Sequence, residues 1–234
     1  MGKDIDSSAT KGTMRRGRAE CLLCKHVVAG EELRRISKAG LMYEHQFAIA
    51  TLQAKSQGKA YRPANADDTR RFDEAVTRFP EVRNGLSTEA IPSDRPSPNS
   101  RGFSAVVRYG IDQFGKLFNH RQAIAMTTFA SLVREAIAIV KERSPDDYAV
   151  AVACYLGKAI DRLASFNNSL VRWASNRETA IPPFSKNGVP MIWDYGEVNP
   201  FSDSTGDWNS AIDWVLRVMK VNSQIPNVGN VSRC

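Results

Sequence analysis

Between Asn119 and Phe166 the chain carries two long apolar periodicities of helical spacing, parted by Ser144-Pro145-Asp146-Asp147. In the first, Ile124, Phe129, Leu132, Val133, Ala136, Ile137 and Val140 share one face. Asn119 stands where a side-chain oxygen can take up a free N–H of the helix start, and the pattern runs to about Arg143. The break then supplies a cap, a proline and two acids at the positive end of a helix dipole, so it predicts a second helix. That helix reaches about Phe166, with an extension toward Trp173. Its small residues, Ala149, Ala151, Ala153, Gly157 and Ala159, suit close packing on the first. Asp207 caps a last helix from Trp208 to about Val221, after a loop over 176–207.

The first third reads differently. Residues 1–13 are polar and read as a frayed start, and 14–51 read as β. Over 41–52, Tyr43, His45, Phe47 and Ile49 alternate with Glu44, Gln46, Ala48 and Ala50, the period of a half-buried strand. Asp67 or Asp68 caps a helix through Phe79, with Phe72, Ala75, Val76 and Phe79 on one side. From 80 to 102, Pro80, Pro92, Pro96, Pro98, Gly85 and Gly102 mark a linker or long loop. The expected fold class is α+β in three parts: a small β region at 1–62, a short helix and Pro-rich linker at 63–102, and a helical region at 103–234. The tail 224–234 has no assignment.

Cys21 and Cys24 form one Cys-x-x-Cys knuckle between expected strands. Zinc takes a closed tetrahedral shell of four thiolate or imidazole ligands, commonly from two such knuckles. The other cysteines, Cys154 and Cys234, are distant and single. Three readings stay open: half of a zinc site, unligated surface thiols, or a redox pair. The strand context favours the half-site, with His26 a third ligand in principle, and with the first knuckle falling before this chain begins. Cys154, on a helix face, is expected in the core. Unpatterned cysteines exclude a disulfide framework and point to a reducing cytoplasm. No uninterrupted apolar run approaches the ~18 residues of a membrane span, so no membrane partner is expected.

Charge narrows the partner. The chain carries 32 Lys and Arg against 25 Asp and Glu, a net +7. Residues 1–62 hold 12 of the cations against 6 of the acids, whereas 63–110 balance at 7 against 7. A local basic excess rich in Arg15, Arg16, Arg18, Arg34 and Arg35 suits a polyanion such as DNA, or is a solvated surface.

No phosphate-binding glycine motif is present, which argues against a self-contained nucleotide site. His26, His45 and His120 are scattered without catalytic spacing; His45 reads as a packed or edge side chain and His120 as a surface residue. The tract 190–208 interleaves Trp193, Tyr195, Phe201 and Trp208 with Asp194, Glu197 and Asn199. Trp193, Asp194, Glu197, Asn199 and Phe201 form either a binding pocket or an ordered loop anchored by its aromatics. Two strings come near the Asn/Asp-Pro-Pro-aromatic motif that holds a target amine. Ile181-Pro182-Pro183-Phe184 lacks the acceptor, and Asn199-Pro200-Phe201 lacks a proline.

Four separated strings together resemble the prokaryotic adenine-specific DNA methylases that contain a zinc-ribbon module. They are Gly12-Thr-Met-Arg-Arg-Gly-Arg-Ala-Glu-Cys-Leu-Leu-Cys24, the segment from Tyr109 to Gln122, the segment from Tyr155 to Leu170, and the tract from Pro190 to Phe201. The resemblance spans about 12–221. It implies the second knuckle of a ribbon at Cys21 and Cys24, with zinc as its metal. It also implies AdoMet as the cofactor of the whole family. The family's Asp-Pro-Phe-x-Gly-x-Gly and Asp-Pro-Pro-Tyr motifs are absent from this chain, so AdoMet is not expected to bind it and no residue is assigned to catalysis.

The first expectation is therefore the central part of such a methylase, inactive alone and retaining DNA contact. The alternative is a DNA-binding or partner subunit that completes a split methylase. A third reading is an unrelated helical enzyme using Asp194, Glu197 and Asn199, for which convergent carboxylates of raised pKa would be the sign.

Overall fold

The computed structural model describes residues 13–21, 23–52, 58–85, 91–96, 105–183 and 188–225. The start at 1–12, the linker stretches 86–90 and 97–104, Phe184, and the tail from 226 with Cys234 lie outside these. The chain is α+β: small antiparallel sheets come first and a mainly helical part follows.

The first sheet has the order β1 (Met14–Arg15), β2 (Arg18–Glu20), β3 (Val27–Val28). Arg16 and Gly17 join β1 to β2, both at positive φ, 50° and 75°. Such a two-residue turn matches the twist of a hairpin, and it holds Arg16 in a conformation that a side chain resists. α1 (Gly30–Lys38) follows, a helix where the sequence pattern suggested β structure. Its cause is local charge: Glu31 and Glu32 lie in the first turn, Arg35 and Lys38 in the last. Gly40, at φ 70°, ends it. A Cβ at Gly30 would stand 2.6 Å from the Gly17 carbonyl oxygen, so glycine there lets α1 dock on the hairpin turn.

The strand expected over 41–52 forms only at its end. β4 (Ala48–Leu52) pairs antiparallel with β5 (Lys59–Pro63). Residues 42–47 have no regular structure and leave Tyr43 and Phe47 exposed. Alternation makes a strand only where a sheet and a packed face receive it, and neither meets this segment.

α2 (Ala66–Gly85) is capped by Asn65 rather than by Asp67 or Asp68. The Asn65 Oδ1 accepts from the N–H groups of both aspartates at 3.0 Å. The helix continues through Pro80, which was expected to open the linker. Pro80 and Val76, whose carbonyl loses its helical partner there, are both exposed, so solvent replaces the missing bond.

α3 (His120–Arg143) and α4 (Asp146–Phe166) follow the expected boundaries. Asn119 Oδ1 accepts from Gln122 N–H at 2.8 Å, and Gln122 Oε1 accepts from Asn119 N–H at 3.0 Å, a reciprocal cap. α4 does not extend to Trp173, which lies in β6 (Arg172–Ala174) paired with β7 (Thr179–Ile181). Three residues per strand are too few to leave a period in the sequence. α5 (Trp208–Asn222) starts at Asp207, whose Oδ1 accepts from Ser210 N–H at 2.8 Å.

α2 packs on α3, α3 on α4, and α4 on α5. Ala149 and Ala159 are fully buried in these contacts, whereas Ala151 and Cys154 are exposed, so Cys154 is not the core residue its helix suggested. Contrary to the sequence reading, α3 is long and apolar enough by composition to cross a membrane, with a mean hydropathy of 1.6 over 18 residues. Thr127, Thr128, Ser131, Arg134 and Glu135 interrupt its apolar run, but the Ile, Val, Leu and Ala residues around them keep the average high. Among the described residues, every buried hydrophobic side chain except that of Pro96 lies at or beyond Val106. One cluster joins Val106, Leu117 and Leu170; another joins Phe166, Val171 and Ala180.

Candidate functional site

Three segments far apart in the chain meet at the start of α3. Asn119 is buried, and its Nδ2 donates to Tyr195 Oη at 2.7 Å and to Glu197 Oε2 at 3.0 Å. Arg121 closes a two-point pair on Glu197: Nε to Oε1 at 2.6 Å and Nη2 to Oε2 at 2.9 Å. The same guanidinium lies over the Phe72 ring of α2, 5.3 Å from its centroid. Tyr195 Oη then donates to Glu44 Oε1 at 2.6 Å, which ties the irregular 42–47 segment to the rest.

Burial pushes the Glu44 carboxyl above its ordinary value. The hydrogen bond from Tyr195 opposes that rise, the Glu197 charge adds to it, and His120 and Arg121 oppose it. Glu44 keeps an exposed outer side, which restrains the shift. Burial, and then the Glu44 charge, raise the Tyr195 phenol, so it stays a neutral donor. The hydrogen bonds to Glu197 raise Arg121 further, so its guanidinium stays charged.

Around this knot opens a cleft of about 2140 Å³, walled by 42–47, β4, α2, the first half of α3 and the loop 191–205. The five residues expected as a pocket, Trp193, Asp194, Glu197, Asn199 and Phe201, all line it. Their roles differ. Glu197 is fully engaged by Arg121 and Asn119. Asn199 Oδ1 accepts from Phe201 N–H at 3.0 Å within its own loop. Trp193 meets Tyr109 edge-on at 4.9 Å, and Phe201 is 77% exposed. The far wall is held by Glu178, whose carboxylate accepts from Lys59 N–H at 3.2 Å and Tyr61 Oη at 3.0 Å. Of the histidines, His45 is exposed, whereas His120 meets Phe79 edge-on at 4.9 Å.

Sequence reasoning missed Glu44 and Arg121 altogether, and read Asn119 as a cap alone. No local motif marks them, because Asn119 and Arg121 reach partners 76 and 78 residues away.

Cys21 and Cys24 lie on the turn between β2 and β3. Cys21 N–H donates to the His26 carbonyl at 2.8 Å, and Lys25 N–H to the Cys21 carbonyl at 3.0 Å. Hydrogen bonds from the backbone N–H groups of Cys24 and Leu23 lower the Cys21 thiol pKa, with the Lys25 charge adding a smaller push. That geometry suits a thiolate ligand. Among the described residues, however, no three His, Cys, Asp or Glu side chains gather as a metal group. Two thiols supply half of a tetrahedral zinc shell, so the residues described do not fit a closed zinc site. They do not fit AdoMet either: the described sheets are two- and three-stranded and antiparallel, without the strand, glycine turn and helix that cradle a nucleotide.

The basic residues divide. Arg15, Arg16 and Arg18 are exposed on the hairpin, and Arg34 on α1 lies beside its turn, with Nη1 3.5 Å from where a Gly30 Cβ would stand. None of the four forms an ion pair among the described residues. Arg35 is held by Glu32 through two hydrogen bonds of 2.8 and 2.7 Å.

Fold and site together define an α+β chain with a cationic hairpin–helix unit and a separate polar and aromatic cleft. Compared with known protein families, with curated proteins and with solved structures, the chain matches none.

Proposed function

We propose that this chain is a DNA-contacting, non-catalytic segment of an adenine-specific DNA methylase of the zinc-ribbon kind, working in the cytoplasm. AdoMet binding and methyl transfer then belong to another part of the assembly, on the same or a second polypeptide. The observation that carries the DNA contact is the hairpin. Arg15, Arg16 and Arg18 extend from a tight turn, Arg34 stands beside them, and no described carboxylate neutralises them. Free cations grouped on a small unit suit phosphate contacts, which set affinity without reading sequence. The four strings of resemblance supply the methylase part of the reading.

The test is duplex DNA binding across a salt series. Each phosphate contact contributes about −0.9 to the slope of log affinity against log salt. Replacing Arg15, Arg16 and Arg18 by Ala should weaken binding and flatten that slope by about 2 to 3. An affinity indifferent to salt, or unchanged in the triple variant, overturns the DNA contact. AdoMet-dependent methylation of DNA by this chain alone overturns the non-catalytic assignment.

A further inference from the structure

α4 and α5 share an exposed apolar face, and none of its residues lines the cleft. A Cβ on Gly206, just before α5, would stand 2.7 Å from the Phe166 Cβ at the end of α4, and the Arg162 guanidinium lies over the Trp214 ring at 4.6 Å. The two packed helices therefore run antiparallel. On α5, Trp214, Val218 and Val221, with Ile225 just beyond its end, are 51%, 49%, 62% and 56% exposed. Their steps of four, three and four residues are those of a coiled-coil seam. On α4, Tyr148, Ala151 and Tyr155 share the stripe that carries Arg162 to Trp214, and all three are exposed.

A single open apolar residue needs no cause, but two adjoining stripes do. Their open side chains amount to about 600 Å², the upper end of what a monomer leaves in one patch. Two such faces pressed together bury about 1,200 Å², the least that specific interfaces use. We infer that this α4–α5 face is the contact between two copies of the chain, α5 lying antiparallel on α5 with Val218 against Val221. The seam is its own complement, because a two-fold axis sets the same stripe on both sides. Charge does not oppose the pairing. That register turns Arg217 toward the uncharged Gln224, and Lys158, on the α4 stripe, is paired with Asp161 at 3.6 Å. The contact is independent of the DNA reading, since no hairpin residue takes part in it.

The experiment is sedimentation equilibrium of the full chain, with reductant and chelator present so that Cys21 and Cys24 do not join copies. An interface at the small end of the range should give a dimer that dissociates near about 10 μM. Val218→Glu with Val221→Glu should raise that constant about tenfold or more, and Tyr148→Arg about threefold, with far-UV circular dichroism unchanged. Leu132→Glu alters an equally open apolar side chain on the cleft wall and should leave the constant as it is. If the double variant does not fold, Tyr148→Arg and the unaltered chain carry the test. A monomer up to about 200 μM overturns the proposal, as does a dimer that no variant of the face weakens. An equal loss in Leu132→Glu removes the contact from this face. A monomer that floats with phosphatidylglycerol vesicles, and ceases to as the double variant, assigns the face to a membrane surface and overturns the pairing of copies.

Discussion

The hairpin with α1 and the layer of α3, α4 and α5 are held together by different forces. The first unit is made of two- and three-residue strands, a turn with Arg16 at positive φ, and a helix whose charges follow its dipole. Ser37 is its one buried side chain among the described residues. The second unit buries Ala149, Ala159, Leu163 and Phe166 on α4 alone. Local backbone geometry can shape a small basic surface, but apolar burial is what makes a fold cooperative. The comparison also separates chemistry. The thin unit leaves cations free, whereas the thick one pairs Arg121 with Glu197 and buries its amides.

The sharpest way to break this contrast is truncation in each unit. Leu163→Ala, at 1% exposure in α4, should cost about 3 kcal/mol, whereas Leu33→Ala in α1, only partly buried, should cost about 1 kcal/mol or less. Urea unfolding followed by circular dichroism gives both values, and equal losses would erase the distinction.

Asn119→Ala should cost about 2 kcal/mol, because it removes a helix cap and two buried donors at once. Amide exchange should then rise in 42–47, since Tyr195 loses the partner that positions it for Glu44. Unchanged protection there would detach the cap from the cleft.

Zinc sharpens the contrast from the hairpin side. Two thiolates leave half the shell open, so chelator-washed monomer should bind zinc weakly or by pairing two chains through Cys21 and Cys24. One tightly held zinc per monomer in metal analysis would contradict this.

Smaller effects come from pH, with opposite signs in two places. Burial raises the Glu44 carboxyl in the folded state. Its contribution to stability is therefore full below the ordinary carboxyl value and lost as pH rises through the raised one. Glu44→Gln should flatten that decline in melting temperature. Asp68 goes the other way: hydrogen bonds from Arg62 and from Asn65 N–H hold it down to about 2. Its contribution is present above the ordinary range and lost as pH falls through about 2. Carboxyl titration by NMR should find the low value and see it return toward normal in Arg62→Ala.

Much of the fold was legible because its signals are local. The Asn119 and Asp207 caps and the Ser144-Pro145 break involve residues three or four apart, and the observed helix starts match them, although Pro145 stands at the cap position of α4 without a side-chain bond. Of the expected face of α3 only Phe129 is buried, beside Gln122, Ala123 and Thr127, and Leu132 is exposed. Helix α1 was legible in principle from Glu31, Glu32, Arg35 and Lys38, but the neighbouring β reading absorbed it. The strands β6 and β7 were not, because three residues carry no period. The residues of the tract 190–208 that line the cleft stand together in the sequence, whereas Glu44, which Tyr195 reaches across it, carries no local signal.

What the sequence by itself determined is therefore the helical layer, the basic excess of the first 62 residues and the single cysteine knuckle. Each follows from short-range spacing or from composition. Tertiary structure decided which charges remain free. Arg34 stands beside the hairpin turn because Gly30 lets α1 approach it, while Arg35, one residue on, is held by Glu32. It also decided that Glu44, Asn119, Arg121, Tyr195 and Glu197 share one hydrogen-bonded knot. Such a knot joins parts of the chain more than seventy residues apart, and its energy depends on burial and angle, which no spacing along the sequence encodes.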